Sequence, residues 1–242
     1  MRFDVRRFPV VTSTMDVARD LAEQGALEGV VVVADQQTAG RGRVGRAWYS
    51  PPGQSLYLSL LLRPALHPRQ ISWLTMIGAL TILDCISQFS IPNSQLSIKW
   101  FNDVLLNGRK LAGVLVEASF VADRLDYAIL GIGLNVNTRF ADAPEEVRRR
   151  ATSLREAFGR EFDRDVVLDR LLAAFGARYG RLPASPLADY VGRLETLGRP
   201  VRLRAGDKII EGTAVRIEED GALVVMTAAG ERVAAFGEVV SG

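Results

Sequence analysis

A strand–turn–strand pattern in the middle of the chain constrains the fold more than any other feature. Asn107-Gly108 separates two apolar runs, residues 104–106 and 111–116, and this dipeptide between apolar runs is a strong signal for a β-hairpin. Further short apolar runs that predict strands lie at residues 30–34, 55–62, 97–100 and 127–130. Hairpins among the strands exclude a sheet made only of repeated βαβ units. We therefore predict an α+β fold with a mixed central sheet and helices on one of its faces.

Helical patterns lie between these strands. Ser13-Thr14 precedes apolar residues at helical spacing that end before Gly25, so either hydroxyl could cap a helix there. Longer helices are predicted at residues 71–89, 144–158 and 163–179. The first of these has the apolar density of a core helix.

The end of the chain has a different pattern. Beyond residues 197–200, short apolar strands alternate with glycine-containing turns. We predict a large domain over residues 1–196, which contains the mixed sheet, and a small all-β domain, a barrel or a sandwich, over residues 197–242. Fewer than about fifty residues are near the limit of independent stability, so this small domain is expected to pack on the larger one.

Composition excludes several classes of protein. Of the 242 residues, 48% are hydrophobic and 24% are charged, as in an ordinary soluble domain, and the formal charge of +2 favours neither nucleic acid nor an anionic membrane. The single cysteine, Cys85, excludes a disulfide framework and is expected to be buried and inert. The single histidine, His67, is a poor candidate for a catalytic base. No segment predicts a membrane span or a signal peptide, so we expect a cytoplasmic protein.

The most unusual segment is a glycine–arginine loop at residues 40–46, followed by Trp48. It contains three glycines and three arginines, namely Gly40, Gly42, Gly45, Arg41, Arg43 and Arg46. Glycines let backbone N–H groups converge, and arginines add positive charge, so the loop suits a phosphate or carboxylate ligand. A mobile basic surface loop and an RNA-binding tract are alternative interpretations. The Walker phosphate loop and the dinucleotide-binding glycine pattern are both absent.

Lysine is scarce in this chain. Among 30 basic residues it occurs only at positions 99, 110 and 208, which favours sites that need a compact ammonium group. Lys99 begins Lys-Trp-Phe-Asn-Asp, whose Asn102 and Asp103 could bind a nucleotide and its magnesium or could simply start a turn. Lys110 opens an otherwise apolar strand, where a charge is costly unless it meets an anion, although an edge lysine that reaches solvent is the simpler alternative.

These segments, in this order, resemble the biotin protein ligases. The resemblance rests on Ser13-Thr14, the loop at 40–46, Lys99 to Asp103, Lys110 to Glu117, and Gly131-Ile132-Gly133-Leu134-Asn135, a predicted bend with close backbone approach. It covers essentially the whole chain, including Phe236-Gly237-Glu238-Val239 at the end of the small domain. It implies a sheet like that of class II aminoacyl-tRNA synthetases and an SH3-like C-terminal domain. No room for a helix-turn-helix domain precedes Met1, so we expect the monofunctional type without a DNA partner.

The resemblance also implies a reaction. Biotin and MgATP would give biotinyl-5′-AMP and pyrophosphate, and a lysine of the biotin carboxyl carrier protein of acetyl-CoA carboxylase would then accept the biotinyl group. A lipoate–protein ligase uses the same acyl-adenylate chemistry and is the nearest alternative. The polar Ser13, Thr14 and Gln37 favour biotin, because its ureido ring needs paired donors and acceptors. Family members often dimerise, so a homodimer is a further expectation.

Site residues follow by resemblance. The expected catalytic residues are Lys110, Arg41 and Arg43. Biotin is expected to contact Ser13, Thr14, Met15, Gln37, Gly40, Arg41, Gly42, Arg43, Lys110 and Gly113. ATP is expected to contact Arg43, Arg46, Trp48, Lys99, Asn102, Asp103, Lys110 and Asn135, with Asp103 on the magnesium side. The chain departs from the family pattern at Phe101, where proline is usual, and at Met15, where asparagine or aspartate is common.

Overall fold

The computed structural model describes residues 1–89 and 95–240. Its centre is a mixed seven-stranded sheet with the strand order β1-β2-β3-β7-β6-β5-β4. Only β1 and β2 are parallel; every other neighbouring pair in this sheet is antiparallel. The strands are β1 (Asp4–Val11), β2 (Val30–Gln37), β3 (Leu56–Leu62), β4 (Leu96–Lys99), β5 (Asp103–Leu106), β6 (Arg109–Val121) and β7 (Arg124–Leu134).

Six helices accompany this sheet in the described part of the chain. They are α1 (Thr14–Glu23), α2 (Ser72–Ser87), α3 (Glu145–Arg150), α4 (Leu154–Phe158), α5 (Arg164–Tyr179) and α6 (Leu187–Val191). The α+β class is confirmed, but the expectation of helices on one face only is wrong. Val31 and Val33 of β2 point into the main core with α2 and α5, whereas Val30 and Val32 pack with α1 on the opposite face. A strand that is apolar on both faces needs cover on both.

The predicted hairpin turn and the N-termini of two predicted helices are confirmed, and each depends on hydrogen bonds between residues close in sequence. Asn107 and Gly108 join β5 to β6 with φ of 52° and 76°, the positive values of the hairpin turn that this dipeptide favours. Ser13 is the N-cap of α1, and its side chain accepts a hydrogen bond from the Met15 backbone N–H at 3.3 Å. Asp163 caps α5 in the same way.

The predicted helix at 144–158 is wrong in one respect, because it is two helices. The chain becomes extended between α3 and α4, where Ala151 pairs with Lys110 of β6 and Ser153 caps α4. The bend expected at Gly131–Gly133 is also wrong, since both glycines lie inside the continuous strand β7. The expected close approach is confirmed, since a Cβ at Gly131 would lie 2.9 Å from Sδ of Met15.

The C-terminal segment forms a second, antiparallel sheet with the order β11-β10-β9-β8-β12. Its strands are β8 (Pro200–Ala205), β9 (Lys208–Ile217), β10 (Leu223–Thr227), β11 (Gly230–Ala234) and β12 (Glu238–Val240). One of its turns packs on α2 and on the end of β4, since the indole N–H groups of Trp73 and Trp100 donate to the carbonyls of Glu219 and Gly221 at 2.9 and 3.0 Å. The all-β character is confirmed; the boundary after residue 196 stays a prediction, and residues 241–242 lie outside the described residues.

One helix is long and apolar enough to cross a membrane by composition alone, contrary to the sequence expectation. It spans Pro68–Ser87, has a mean hydropathy of 1.4, and has 72% of its most apolar window buried inside the fold. It contains α2, whose side chains contact both β6 and α5. Such burial is typical of a core helix in a soluble protein.

Cys85 of α2 is predicted to be unreactive in the native protein. Its side chain has no exposed surface, and burial raises the pKa of its thiol to about 12. At pH 8 roughly one thiol in ten thousand would be ionised, and the thiolate is the nucleophile. Ellman's reagent should therefore titrate less than about a tenth of one thiol natively and one full equivalent after unfolding. Rapid native titration would contradict the packing of α2.

Candidate active site

A cleft of about 140 Å³ opens on the face of the large sheet that carries α1. It collects most of the site residues predicted from the sequence. Lining the cleft are Ser13, Thr14, Met15, Gln37, Arg41, Gly42, Arg43, Arg46, Trp48, Lys99, Asn102, Asp103, Lys110 and Gly113. Of the predicted residues, only Gly40 and Asn135 do not line it. Gly133 and Glu238 do line it, although sequence reasoning did not propose them as ligand contacts.

Glycines form the floor of the cleft. Gly113 and Gly133 are paired across β6 and β7, and the Trp48 ring lies against both. A Cβ at Gly133 would lie 2.4 Å from Cε2 of Trp48, and one at Gly113 would lie 3.0 Å from its Cζ3. At Gly131 a Cβ would lie 2.9 Å from Sδ of Met15. The Gly-x-Gly pattern at 131 and 133 is the sequence signal for this glycine floor, since residues two apart lie on the same face of a strand.

Hydrogen-bonding side chains line one end of the cleft, where Thr14 is buried and Gln37 is half-buried. Gln37 Oε1 accepts from the backbone N–H of Thr14 at 2.9 Å and from its hydroxyl at 3.1 Å. The Thr14 hydroxyl also lies 2.8 Å from that of Ser59, which sequence reasoning missed. The Gln37 amide donates to Ser50 at 3.3 Å. A Cβ at Gly40 would lie 2.9 Å from both Gln37 Nε2 and Ser50 Oγ, so that glycine supports this end from outside the cleft.

Arg41 is tied to the sheet and to α1 by two carboxylates. Its Nη1 lies 2.7 and 2.8 Å from the two oxygens of Asp16, and its Nη2 lies 3.3 Å from Glu117. Arg19 contacts the same two carboxylates, and the hydrogen bond with Glu117 is the main cause that raises the pKa of Arg19. The four side chains form a ring of alternating charge that anchors the start of the loop. Sequence reasoning missed Asp16 and Glu117 in this role, because nothing local pairs them with the loop.

Arg43 is held by uncharged groups instead. Its guanidinium carbon lies 5.3 Å from the centroid of the Phe101 ring, and its Nη1 donates to Asn102 Oδ1 at 3.2 Å. The Asn102 amide N–H donates in turn to the carbonyl of Val114 at 2.8 Å, which fixes the direction of Oδ1. Burial lowers the pKa of the Arg43 guanidinium, and the charge of Asp103 opposes this shift. Within residues 1–89 and 95–240, no carboxylate lies within ion-pair distance of Arg43.

Lys110 meets a single carboxylate in the cleft. Its Nζ lies 2.7 Å from Asp103 Oδ1 and 5.3 Å from the centroid of a Trp48 ring. Lys99 faces Asp103 across β4 and β5, and burial lowers the pKa of its ammonium while Asp103 opposes that shift. One carboxylate is thus surrounded by several cations, so this end of the cleft is suited to an anion.

The second sheet completes the wall of the cleft. Arg46, at the end of the loop, pairs with Glu238 of β12 at 2.5 Å. The indole Nε1 of Trp48 is buried against the sheet, where a Cβ at Gly133 would lie 2.8 Å from it, and it lacks a hydrogen-bond partner among the described residues. Asn135 lies on a neighbouring cavity of about 710 Å³, where its amide donates to the carbonyl of Thr152 at 3.0 Å. Its observed contacts hold the chain between α3 and α4 against β6.

No cluster suited to a resident metal ion is present in the described ranges, where no three histidine, cysteine, aspartate or glutamate side chains come together. Asp103 supplies one carboxylate that could bind a metal ion, and the amide of Asn102 lies next to it in the chain. Magnesium in nucleotide sites is commonly held by one or two carboxylates together with phosphate oxygens and water. The residues present therefore fit a magnesium ion that enters with a nucleotide.

Comparison with known proteins gives two family matches. Residues 7–135 match the biotin/lipoate A/B protein ligase family, and residues 196–242 match the biotin protein ligase C-terminal domain. The bifunctional ligase/repressor BirA of Bacillus spizizenii is 37% identical over 227 residues, which cover 91% of this chain and 69% of that protein. The biotin–[acetyl-CoA-carboxylase] ligase of Mycobacterium tuberculosis is 36% identical over 245 residues, 97% of this chain and 89% of that protein.

A solved structure extends the match to the whole fold. The biotin protein ligase from Aquifex aeolicus in complex with biotin and ATP superposes with a TM-score of 0.79 at 33% identity, covering 98% of this chain and 97% of that one. The mixed sheet, the cationic cleft and the appended β sheet together define an ATP-dependent protein ligase. The chain belongs to the biotin protein ligase family. The family predicted from the sequence motifs is confirmed.

Gly133→Ala is predicted to destabilise the protein by forcing Trp48 off the sheet. The added methyl group would lie 2.4–2.8 Å from three atoms of the indole. Overpacking of this kind lowers the free energy of unfolding by about 1–3 kcal/mol, which urea unfolding followed by circular dichroism would measure. Gly176→Ala in α5 is the matched control, since its methyl group would make only ordinary contacts at 3.7–3.8 Å. Equal stability of the two variants would contradict the described packing of Trp48.

Asp16→Asn is predicted to loosen the glycine–arginine loop. The substitution removes the charge that faces Arg41 and leaves Glu117 alone to hold it. A partly exposed pair of this kind contributes about 1 kcal/mol, so limited trypsin digestion should cleave the loop roughly fivefold faster. Glu211→Gln, which breaks an exposed pair with Arg202 in the second sheet, should leave the rate unchanged. The anchor would be refuted by equal cleavage of Asp16→Asn and the wild type.

Proposed function

We propose that this chain activates biotin with ATP and transfers it to a carrier protein. In the first half-reaction a carboxylate oxygen of biotin attacks the α-phosphorus of ATP, the bond to the bridging oxygen breaks, and pyrophosphate leaves. In the second, a lysine amine of the carrier attacks the acyl carbon of biotinyl-5′-AMP, an amide forms, and AMP leaves with the electron pair of the broken C–O bond. Neither step needs a nucleophile from the enzyme.

The single observation that carries this proposal is the position of Arg43 and Lys110. Both line one cleft, together with the partly buried Thr14–Gln37 hydrogen bonds at its other end. A carboxylate that attacks a triphosphate is repelled by it, and positioned cations reduce that repulsion in the transition state. The cleft thus combines a neutral end for a polar ring with a cationic end for the reacting groups.

Lys110 and Arg43 have different tasks in this mechanism. Lys110, now paired with Asp103, exchanges that carboxylate for the biotin carboxylate and the reacting phosphate oxygens. Arg43 keeps its charge free of carboxylates and binds the phosphates. Arg41, neutralised by Asp16 and Glu117, holds the loop in place over the ligand, which limits loss of the labile mixed anhydride to water.

The remaining assignments follow the same division of the cleft. We assign the biotin ring to Ser13, Thr14, Met15, Gln37, Gly42 and Gly113, and the nucleotide to Arg46, Trp48, Lys99 and Asn102. Gly40 and Asn135 lie outside the cleft, so we assign them a supporting role. Magnesium, when bound with ATP, supplies charge neutralisation at the phosphates. Asp103 would be the one protein carboxylate that holds it.

Biotin rather than lipoate is the substrate that these residues favour. The Thr14 and Gln37 side chains offer paired donors and acceptors at a partly buried position, and a ureido ring can use both kinds. Lipoate would bury the same groups without replacing their hydrogen bonds, which is costly. Two of the similar proteins, the Mycobacterium tuberculosis and Aquifex aeolicus ligases, are named as biotin ligases as well.

The proposed function also implies a protein partner, a compartment and an oligomeric state. The carrier is the biotin carboxyl carrier protein of a carboxylase, and the compartment is the reducing cytoplasm, which agrees with a single buried thiol. A homodimer is the expected state of such a ligase.

A pyrophosphate-exchange assay tests the function directly. With labelled pyrophosphate, MgATP and biotin, the protein should incorporate label into ATP, and lipoate should not replace biotin. Mass spectrometry should then find one biotinyl group on an added carrier domain. Exchange that depends on lipoate instead of biotin would overturn the substrate assignment.

Lys110→Ala is predicted to slow adenylation strongly. Removal of the Lys110 ammonium, which pairs with Asp103 in the cleft, should cost about 3 kcal/mol in the transition state, a rate loss of roughly a hundredfold. Single-turnover formation of biotinyl-5′-AMP measures it. Lys110→Arg keeps the charge but changes its shape, so it should recover only part of the rate. An unchanged rate for Lys110→Ala would remove this residue from the mechanism.

A further inference from the structure

The Phe101 ring forms the surface against which Arg43 lies. The guanidinium carbon of Arg43 is 5.3 Å from the centroid of that ring, within the range of a cation–π contact. The same guanidinium donates to Asn102, the next residue in the chain. Two adjacent residues therefore hold the side chain from two directions, one through a ring and one through an amide oxygen.

Phe101 is itself held firmly. Its carbonyl accepts a hydrogen bond from the hydroxyl of Tyr190 at 2.6 Å. Its ring packs edge-on against Trp100, with centroids 5.8 Å apart, and its Cε2 would lie 3.0 Å from a Cβ at Gly221. A surface clamped between the core and a turn of the second sheet can fix the direction of a flexible arginine.

The two loop arginines differ in what holds them. Arg41 is neutralised by the carboxylates of Asp16 and Glu117, whereas Arg43 is held by a ring and an amide. An aromatic ring orients a guanidinium without cancelling its charge, so the full charge remains for an incoming anion. Arg43 also lines the cleft already, so this contact holds it where a phosphate would meet it.

We infer that Phe101 is a positioning residue, which orients Arg43 toward the phosphate groups of ATP and of the adenylate. This inference rests on the proposed function for the identity of the ligand. A side chain of similar volume without a ring should leave Arg43 free to rotate. The consequence is weaker binding of the phosphates, while the neutral end of the cleft, and with it biotin affinity, is unchanged.

A double-mutant cycle between positions 101 and 43 tests this. Phe101→Leu should raise KM for ATP and the release rate of biotinyl-5′-AMP roughly three- to tenfold, as expected for loss of one partly buried cation–π contact. KM for biotin should not change. Phe101→Tyr keeps the ring and should behave as the wild type. In an Arg43→Gln background Phe101→Leu should have no further effect, because the group that it orients is gone.

Two outcomes would overturn the inference. One is a Phe101→Leu effect of the same size in both backgrounds, and the other is a Phe101→Tyr defect as large as that of Phe101→Leu. Phe89→Leu is the matched control. Phe89 follows α2, and its ring centroid lies 4.2 Å from the guanidinium carbon of Arg170 in α5, outside the cleft, so this substitution should leave KM for ATP unchanged. Melting temperatures of all variants identify a general loss of stability.

The same set of proteins separates this inference from the proposed function. Wild-type protein without biotin-dependent pyrophosphate exchange would refute the function. Calorimetric titration of the four proteins of the cycle with ATP alone would still measure the coupling between Phe101 and Arg43. Additive losses of ATP affinity would refute the positioning role even in an active ligase.

Discussion

The site depends on a patch of sheet surface that carries no side chains. Gly113, Gly131 and Gly133 face α1, and Trp48 and Met15 occupy the space above them. Because side chains alternate along a strand, the intervening residues still point into the main core on the other face, as Ile132 does. The cleft is therefore formed without a loss of packing against α2. The constraint falls on the glycines alone, since a larger side chain would collide with the Trp48 indole at 113 and 133 and with Met15 at 131.

Charge in the cleft is distributed unevenly, and this gives the loop both stability and function. Arg41 is bound by two carboxylates, Lys110 by one, and Arg43 by uncharged groups only. If all three arginines of the loop were in ion pairs with carboxylates, little positive charge would remain for a polyanion. A loop without ion pairs would have nothing to hold it. The bond from Arg46 to Glu238 adds a tie to the second sheet, so the small domain takes part in the wall of the cleft rather than lying apart from it.

Much of the fold could be predicted because its signals are local. The Asn107-Gly108 hairpin, the Ser13 cap of α1 and the helix that follows Asp163 each depend on hydrogen bonds between close neighbours in sequence. The failures have long-range causes. The helix expected at 144–158 is interrupted because Ala151 pairs with a strand forty residues earlier, at Lys110. β1 escaped prediction because it is an edge strand, exposed along most of its length, with no regular alternation of apolar residues.

The sequence by itself determined which chemical groups are available and in what order: the hydroxyls at 13–14, the glycines and arginines of the loop, and two of only three lysines. Only the tertiary structure decided what each group meets. Arg41 and Glu117 are 76 residues apart, and Thr14 and Ser59 are 45 apart, yet each pair is in contact. No periodicity records such partners, because ion pairs and side-chain hydrogen bonds form wherever the packed sheet brings the groups together. The presence of charge is thus a property of the chain, and its neutralisation or availability is a property of the fold.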